Sequence, residues 1–189
     1  MRIYYHTILV GCFALFYLFM FLTGCNDVKK VAVDVTAISA AAVMTHSEYT
    51  NAEHAIERNI NLFTPDEKTK LAGIKIQLDS VHNTINGLVK QKDVSQVLIE
   101  IAQLKSLITE TEGAYLEAKS IVNKHLDQFP VEDRLTILEF ENSADRLRNK
   151  WHEQLALAQD NQSVNATQVI IDILTIAGGV AKVVAPLVI

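Results

Sequence analysis

The stretch VIIDILTIAGGVAKVVAPLVI, residues 169–189, decides how the fold is read, because most of its residues are apolar. Its polar and small interruptions fall at spacings of three and four: Asp172, Thr175, Gly179, Lys182 and Pro186. On a helix this spacing predicts one narrow stripe, within about 80° of arc. A ladder of small residues beside the stripe permits close contact with another helix: Ala177, Ala181 and Ala185.

Three placements of this apolar C-terminal helix fit its length and polarity. It can be a fifth helix, buried in the protein or in a homo-oligomer. It can be inserted in a membrane, since about 30 Å is enough to cross a bilayer. It can also lie in a membrane interface, although its polar face is narrow and weakly charged for such an anchor. The predicted contacts with a partner helix or a membrane are Asp172, Thr175, Ala177, Gly179, Ala181, Lys182 and Ala185.

The chain before this stretch is predicted to be helical from end to end. Residues 28–63 contain neither Pro nor Gly, and their apolar residues recur at spacings of three and four. The next helix begins at TPDE, residues 64–67, which supplies a capping Thr, a Pro for the first turn and a Glu for a capping box. A third helix covers the apolar repeat of residues 97–122, and a fourth begins after Pro130.

Each predicted helix carries one apolar stripe, which a single helix cannot bury alone. The predicted fold class is therefore all-α: an antiparallel bundle of about four long helices plus the apolar C-terminal helix. Residues 25–160 would form the bundle, residues 161–168 a polar linker, and residues 169–189 the last helix. No strand pattern competes with this interpretation.

The N-terminal segment indicates where the protein goes. Arg2 precedes an uncharged apolar run, Ile8 to Leu22, which is too short to span a membrane but suits a signal peptide. The run ends in LTGC, residues 22–25. This ending resembles the lipobox of bacterial lipoproteins, in which two small residues precede a cysteine that receives diacylglycerol. The resemblance implies a signal peptide over residues 1–24 and lipidation of Cys25.

A second match to the lipobox, LVGC at residues 9–12, has only eight residues before it, too few for a signal peptide. Asn26 follows Cys25. An Asp at that place commonly retains a bacterial lipoprotein at the inner membrane, so the resemblance favours the periplasmic face of the outer membrane. The first expected partner is therefore a membrane, held through the N-terminal lipid.

Charge and motif content argue against several other functions. Without Arg2 the chain has 16 cations and 22 anions, a net charge of −6, which is unsuited to nucleic acid. The nearest approach to a metal-binding pattern is Asp79-x-x-His82, but both residues follow core positions and are expected at the edge of the core or in solvent. Phosphate-binding loops and nucleophile motifs are missing from the sequence. We therefore predict no enzyme, no cofactor and no metal site.

These features together predict a lipid-anchored periplasmic lipoprotein with a structural or protein-interaction role. An alternative follows from the layout of the chain. A lipidation site at one end and an apolar segment at the other is similar to the layout of phage unimolecular spanins, which link the outer and inner membranes during lysis. A continuous helix over residues 26–168 would reach about 215 Å. Pro65 and Pro130 argue against so straight a rod.

Overall fold

The computed structural model describes residues 29–44, 49–90 and 94–188, and these are mostly helical. Six helices are α1 Val35–Met44, α2 Thr50–Arg58, α3 Pro65–Val89, α4 Ile101–Asn123, α5 Val131–Gln159 and α6 Ala166–Val184. Short 3₁₀ turns follow at Ile60–Leu62, Leu126–Gln128 and Ala185–Val188. Two strands, β1 Lys30–Asp34 and β2 Gln96–Glu100, form one small sheet.

The two strands correct the expectation of an all-α chain. They pair antiparallel, with Val31 opposite Ile99 and Val33 opposite Val97. Side chains two residues apart on a strand share one face, and here that face meets the core, where Val33 and Ile99 are buried. Short runs of β-branched residues suit a strand as well as a helix, so their spacing alone could not decide between the two.

The single helix expected over residues 28–63 is also divided. Asp34 ends β1 and caps α1, because its Oδ1 accepts hydrogen bonds from the backbone N–H groups of Ala37 at 3.1 Å and Thr36 at 2.8 Å. These bonds hold the pKa of Asp34 below its ordinary value. A side-chain cap, and not Pro or Gly, therefore sets the boundary between strand and helix.

The expected start of the second long helix is confirmed at α3. Thr64 Oγ1 accepts a hydrogen bond from the backbone N–H of Glu67 at 3.3 Å, and the Glu67 carboxylate accepts one from the backbone N–H of Thr64 at 3.0 Å. The predicted inner positions of α3 are buried: Leu71, Ile74, Leu78, Val81 and Ile85. α5 likewise begins directly after Pro130, as the sequence predicts.

Helix α6 lies in the middle of the fold. It packs against each of the other five helices and against β1. Thr167 Oγ1 accepts a hydrogen bond from the backbone N–H of Asp34 at 2.8 Å, which ties the beginning of α6 to the end of β1. All but one of its large apolar side chains are buried: Val169, Ile170, Ile173, Leu174, Ile176, Val180, Val183 and Val184. Ile171 is half-buried. The apolar C-terminal stretch therefore forms the centre of the core.

Ending the chain at Asn165 should abolish folding. Burying one large apolar side chain contributes about 1.5–3 kcal/mol, and the net stability of a domain is only about 5–15 kcal/mol. We expect the parent to unfold in a cooperative thermal transition, measured by circular dichroism, and the truncated chain to show none. Ile171→Ala, at a half-buried position of α6, is the mild control. A truncated chain that melts cooperatively near the parent temperature would contradict a central role for α6.

Candidate functional site: the C-terminal helix and its surroundings

The structure describes the predicted site residues near the C-terminus and does not describe the one near the N-terminus. Cys25, the predicted lipidation site, lies outside the described residues, which begin at Lys29. The seven predicted contact residues of the C-terminal helix are all described. Asp172, Thr175, Ala177 and Gly179 are buried, whereas Ala181, Lys182 and Ala185 are half-buried.

The accessible side of α6 is not the polar stripe that the sequence predicted as its contact face. At 100° per residue, the half-buried strip is turned by about a quarter of a turn from the predicted polar stripe. The strip contains Ile171, Gly178, Ala181, Lys182 and Ala185. Lys182 is the one residue common to both among the described residues. Most of the predicted stripe therefore faces the protein's own helices.

Gly179 explains why this inner side carries small residues. A Cβ atom at Gly179 would lie 2.7 Å from Phe140 Cε2 and 2.7 Å from Tyr49 Cδ2. The two rings meet edge to face, with centroids 4.8 Å apart and an interplanar angle of 81°. An aromatic pair from α5 and the start of α2 therefore packs directly on the backbone of α6.

Gly178 and Gly179 offer a matched pair of substitutions. Gly179→Ala should lower the free energy of unfolding by about 1–3 kcal/mol, because the rings of Tyr49 and Phe140 must move. Gly178→Ala should raise it by about 0.5–1 kcal/mol, because a Cβ there has no neighbouring atom within 4 Å. Urea unfolding of both variants and the parent measures the two effects. Equal effects of the two substitutions would show that the close packing at Gly179 is unimportant.

The accessible part of the predicted contact residues lines an open groove. Gly178, Ala181, Lys182 and Ala185 of the C-terminal segment form one side of this groove, and α2 and α3 form the rest with Glu53, Asp79, His82, Asn83 and Asn86. Asp79 is exposed and pairs with Lys75 at 2.8 Å. Within residues 29–44, 49–90 and 94–188, no three His, Cys, Asp or Glu side chains are grouped to hold a metal ion.

A separate recess opens between α5 and α6 beside Tyr49. It has a volume of about 440 Å³. Its lining residues are Tyr49, Ser143, Arg146, Leu147, Lys150, Asp172 and Thr175. Asp172 Oδ1 accepts a hydrogen bond from Gln168 Nε2 at 2.7 Å. Burial raises the pKa of Asp172 above its ordinary value, against the opposing effects of this bond and of the Lys150 charge.

A charged network between α4 and α5 was not predicted from the sequence. Lys119 Nζ lies 2.6 Å from Asp145 Oδ2 and 3.4 Å from Glu141 Oε2. Tyr115 donates a hydrogen bond to Asp145 Oδ1 at 3.1 Å. These pairs join different helices, so the local spacing rule for charges on one helix could not detect them.

Glu141 is the buried end of this network. Burial raises the pKa of its carboxyl group, and its Oε1 has no hydrogen-bond partner within the described part of the chain. The cavity beside it, of about 20 Å³, has room for a water molecule and not for an organic substrate. The network therefore joins α4 to α5.

Comparisons with known proteins do not place the chain in a family. No family model, curated protein or solved structure matches it. One helical segment among the described residues, Ala166–Leu187, is long and apolar enough to cross a membrane, and 67% of its most apolar window is buried inside the fold. The core helix of a soluble protein has the same properties, so this segment is weak evidence for a membrane span.

Proposed function

We propose that the protein is a lipoprotein anchored by Cys25 to the periplasmic face of the outer membrane, with a structural or protein-interaction role and no catalytic activity. The observation that carries the proposal is the sequence: an uncharged apolar run that ends in Leu22-Thr23-Gly24-Cys25, followed by Asn26. Diacylglycerol together with further acylation holds a protein firmly in a membrane, because each buried methylene contributes about 0.8 kcal/mol.

The distance between the anchor and the fold supports a body held close to the membrane. Lys29, the first described residue, comes four residues after Cys25. Four residues span at most about 14 Å when fully extended. β1 begins at Lys30, so the sheet would be the part of the fold nearest to the lipid. A body tethered this closely suits a protein that acts on partners at the membrane surface.

The proposal includes an antiparallel arrangement of the long helices around α6. Contacts between α4 and α5 support this arrangement. As the residue number on α4 increases, the residue number of its partner on α5 decreases. Lys119 meets Glu141, Tyr115 meets Asp145, and Glu112 meets Arg148. The short connections from α4 to α5, with its 3₁₀ turn, and from α5 to α6 are typical of antiparallel neighbours.

The phage unimolecular spanin remains the alternative proposal. Its second membrane contact would require α6 to leave the core, which would expose side chains that the other helices now cover. The longest helix, α5, has 29 residues and is about 44 Å long, against about 215 Å for a continuous rod. The central position of α6 therefore favours the lipoprotein with a single lipid anchor.

We further propose that the accessible part of the C-terminal segment contacts a partner protein. Ala181, Lys182 and Ala185 are half-buried and line the open groove between α2, α3 and the C-terminal segment. Small side chains there leave room for a helix to approach closely. The buried members of the predicted contact set would then support the fold and leave the contact to these three residues.

Substitution of Cys25 tests the anchor. Cys25→Ala should abolish incorporation of labelled palmitate and shift the protein out of the outer-membrane fraction, because the LTGC sequence then has no thiol for the diacylglycerol. Cys12→Ala is the matched control and should label as the parent does. Undiminished labelling of Cys25→Ala in intact cells would refute the proposed lipidation site.

A photocrosslinking amino acid at Lys182 tests the partner contact. In cells, this position should give a discrete crosslinked product, because it borders the groove. The same amino acid at Lys105, which is exposed on α4, is the control and should give none. Gel analysis compares the two positions. Identical products, or none from position 182, would remove the support for a partner in this groove.

A further inference from the structure

The recess between α5 and α6 contains a buried carboxylate with unused hydrogen-bonding capacity. Asp172 is only 4% exposed, and yet it lines the recess. Its Oδ1 accepts a hydrogen bond from Gln168, and its Oδ2, which accepts none from the residues that the structure describes, is in contact with solvent. A ligand that enters the recess and covers this oxygen must supply a donor, because a buried polar atom without one costs free energy. The free oxygen is therefore open to a donor from outside the chain.

Two cations stand at the same recess. Arg146 and Lys150 are exposed and lie one turn apart on α5. Neither has a carboxylate within ion-pair distance in residues 29–44, 49–90 and 94–188, and Arg146 donates only to the Ser143 hydroxyl, at 3.1 Å. Arg148, which lies between them in sequence, pairs instead with Glu112 and Asp145. Neither Arg146 nor Lys150 is held in an ion pair within this described part of the chain, although the Lys150 charge acts on Asp172, and both can bind an anionic group.

We propose that this recess binds a zwitterion, a small molecule or peptide end that carries both an ammonium and a carboxylate group. The ammonium group donates a hydrogen bond to the free oxygen of Asp172. The carboxylate group binds Arg146 and Lys150 at the opening, where a guanidinium provides two parallel donors. Tyr49 and Leu147 contact the carbon atoms between the two charged groups.

The charges of the lining residues favour this ligand class over simpler ones. A purely anionic ligand would satisfy the two cations but would cover the Asp172 oxygen without giving it a donor. A divalent metal ion needs several oxygen ligands, and here it would find one carboxylate beside two cations. An apolar ligand would bury the Asp172 oxygen without a donor, which costs free energy. A volume of about 440 Å³ also suits a small organic molecule.

The inference goes beyond the proposed anchor and does not depend on it. If Cys25→Ala leaves lipidation unchanged, the proposed anchor fails, but the recess can still bind its ligand. If the recess binds no ligand, the proposed anchor is unaffected. The two proposals are therefore tested separately, on the same full-length chain.

Binding is measured by ligand-observed nuclear magnetic resonance on the full-length chain in detergent. The probes are glycine, β-alanine, 4-aminobutyrate and 6-aminohexanoate, which carry the same two charges at increasing separation. Butylamine and butyrate, each with one of the two charges, are the matched control ligands. We expect one member of the zwitterion series to bind with a millimolar Kd, and butylamine and butyrate to bind at least about tenfold more weakly.

Two variants locate the binding site. Asp172→Asn keeps the shape of the side chain and removes the charge, and it should weaken binding about tenfold. The double variant Arg146→Ala with Lys150→Ala should do the same and lies on the surface, so it serves if Asp172→Asn fails to fold. Lys70→Ala with Lys105→Ala, two exposed lysines elsewhere, should leave Kd unchanged.

Three outcomes would overturn the proposal. The recess is not a zwitterion site if no probe of the series saturates it below about 50 mM. It is a simple anion site if butyrate binds as well as the best zwitterion. Unchanged Kd values in the double variant would place the binding elsewhere on the chain.

Discussion

The burial of α6 is the constraint on which the rest of this structure depends. The helix is apolar on most sides, so it avoids water only where other elements pack against it. Five helices and β1 supply that cover and leave one half-buried strip at the open groove. The arrangement also accounts for the inner stripes of α3, α4 and α5, since each needs an apolar partner and α6 offers one to all of them. The last segment of the chain therefore organises helices that precede it, and their final packing depends on a contact distant in sequence.

Close packing on α6 determines which residues the helix can carry. At Gly179 the rings of Tyr49 and Phe140 lie against the backbone, and a single methyl group there would meet both. Gly178, the next residue along, faces open space and carries no such restriction. The small and polar residues that the sequence marked as a contact face with a partner are thus mostly a contact face within the chain. Small residues leave room for close packing in the same way, whether the neighbouring helix belongs to a partner or to the same chain.

The long helices could be predicted from the sequence because local signals define them. The capping box at Thr64 and Glu67 and the residue Pro130 set helix starts by interactions within a few residues. The sheet could not be predicted in this way, since Val31 finds Ile99 only in the folded chain. The recess at Asp172 could be predicted only in part. The sequence pattern of α6 indicated Asp172, but the cations beside it lie on α5. Cross-helix proximity is not encoded in the local spacing that sequence analysis can measure.

The first described residues of the chain pack on the two helices that form the recess. Lys29 Nζ donates a hydrogen bond to the carbonyl of Ala158 at 2.7 Å, and Asp34 binds Thr167 through its backbone N–H. Lys150 is eight residues from Ala158 along α5, about 12 Å, and Asp172 is five residues from Thr167 along α6, about 8 Å. Under the two proposals together, the recess would take its zwitterion from molecules close to the membrane surface. The proposed lipid anchor and the proposed ligand would then act at the same place in the cell.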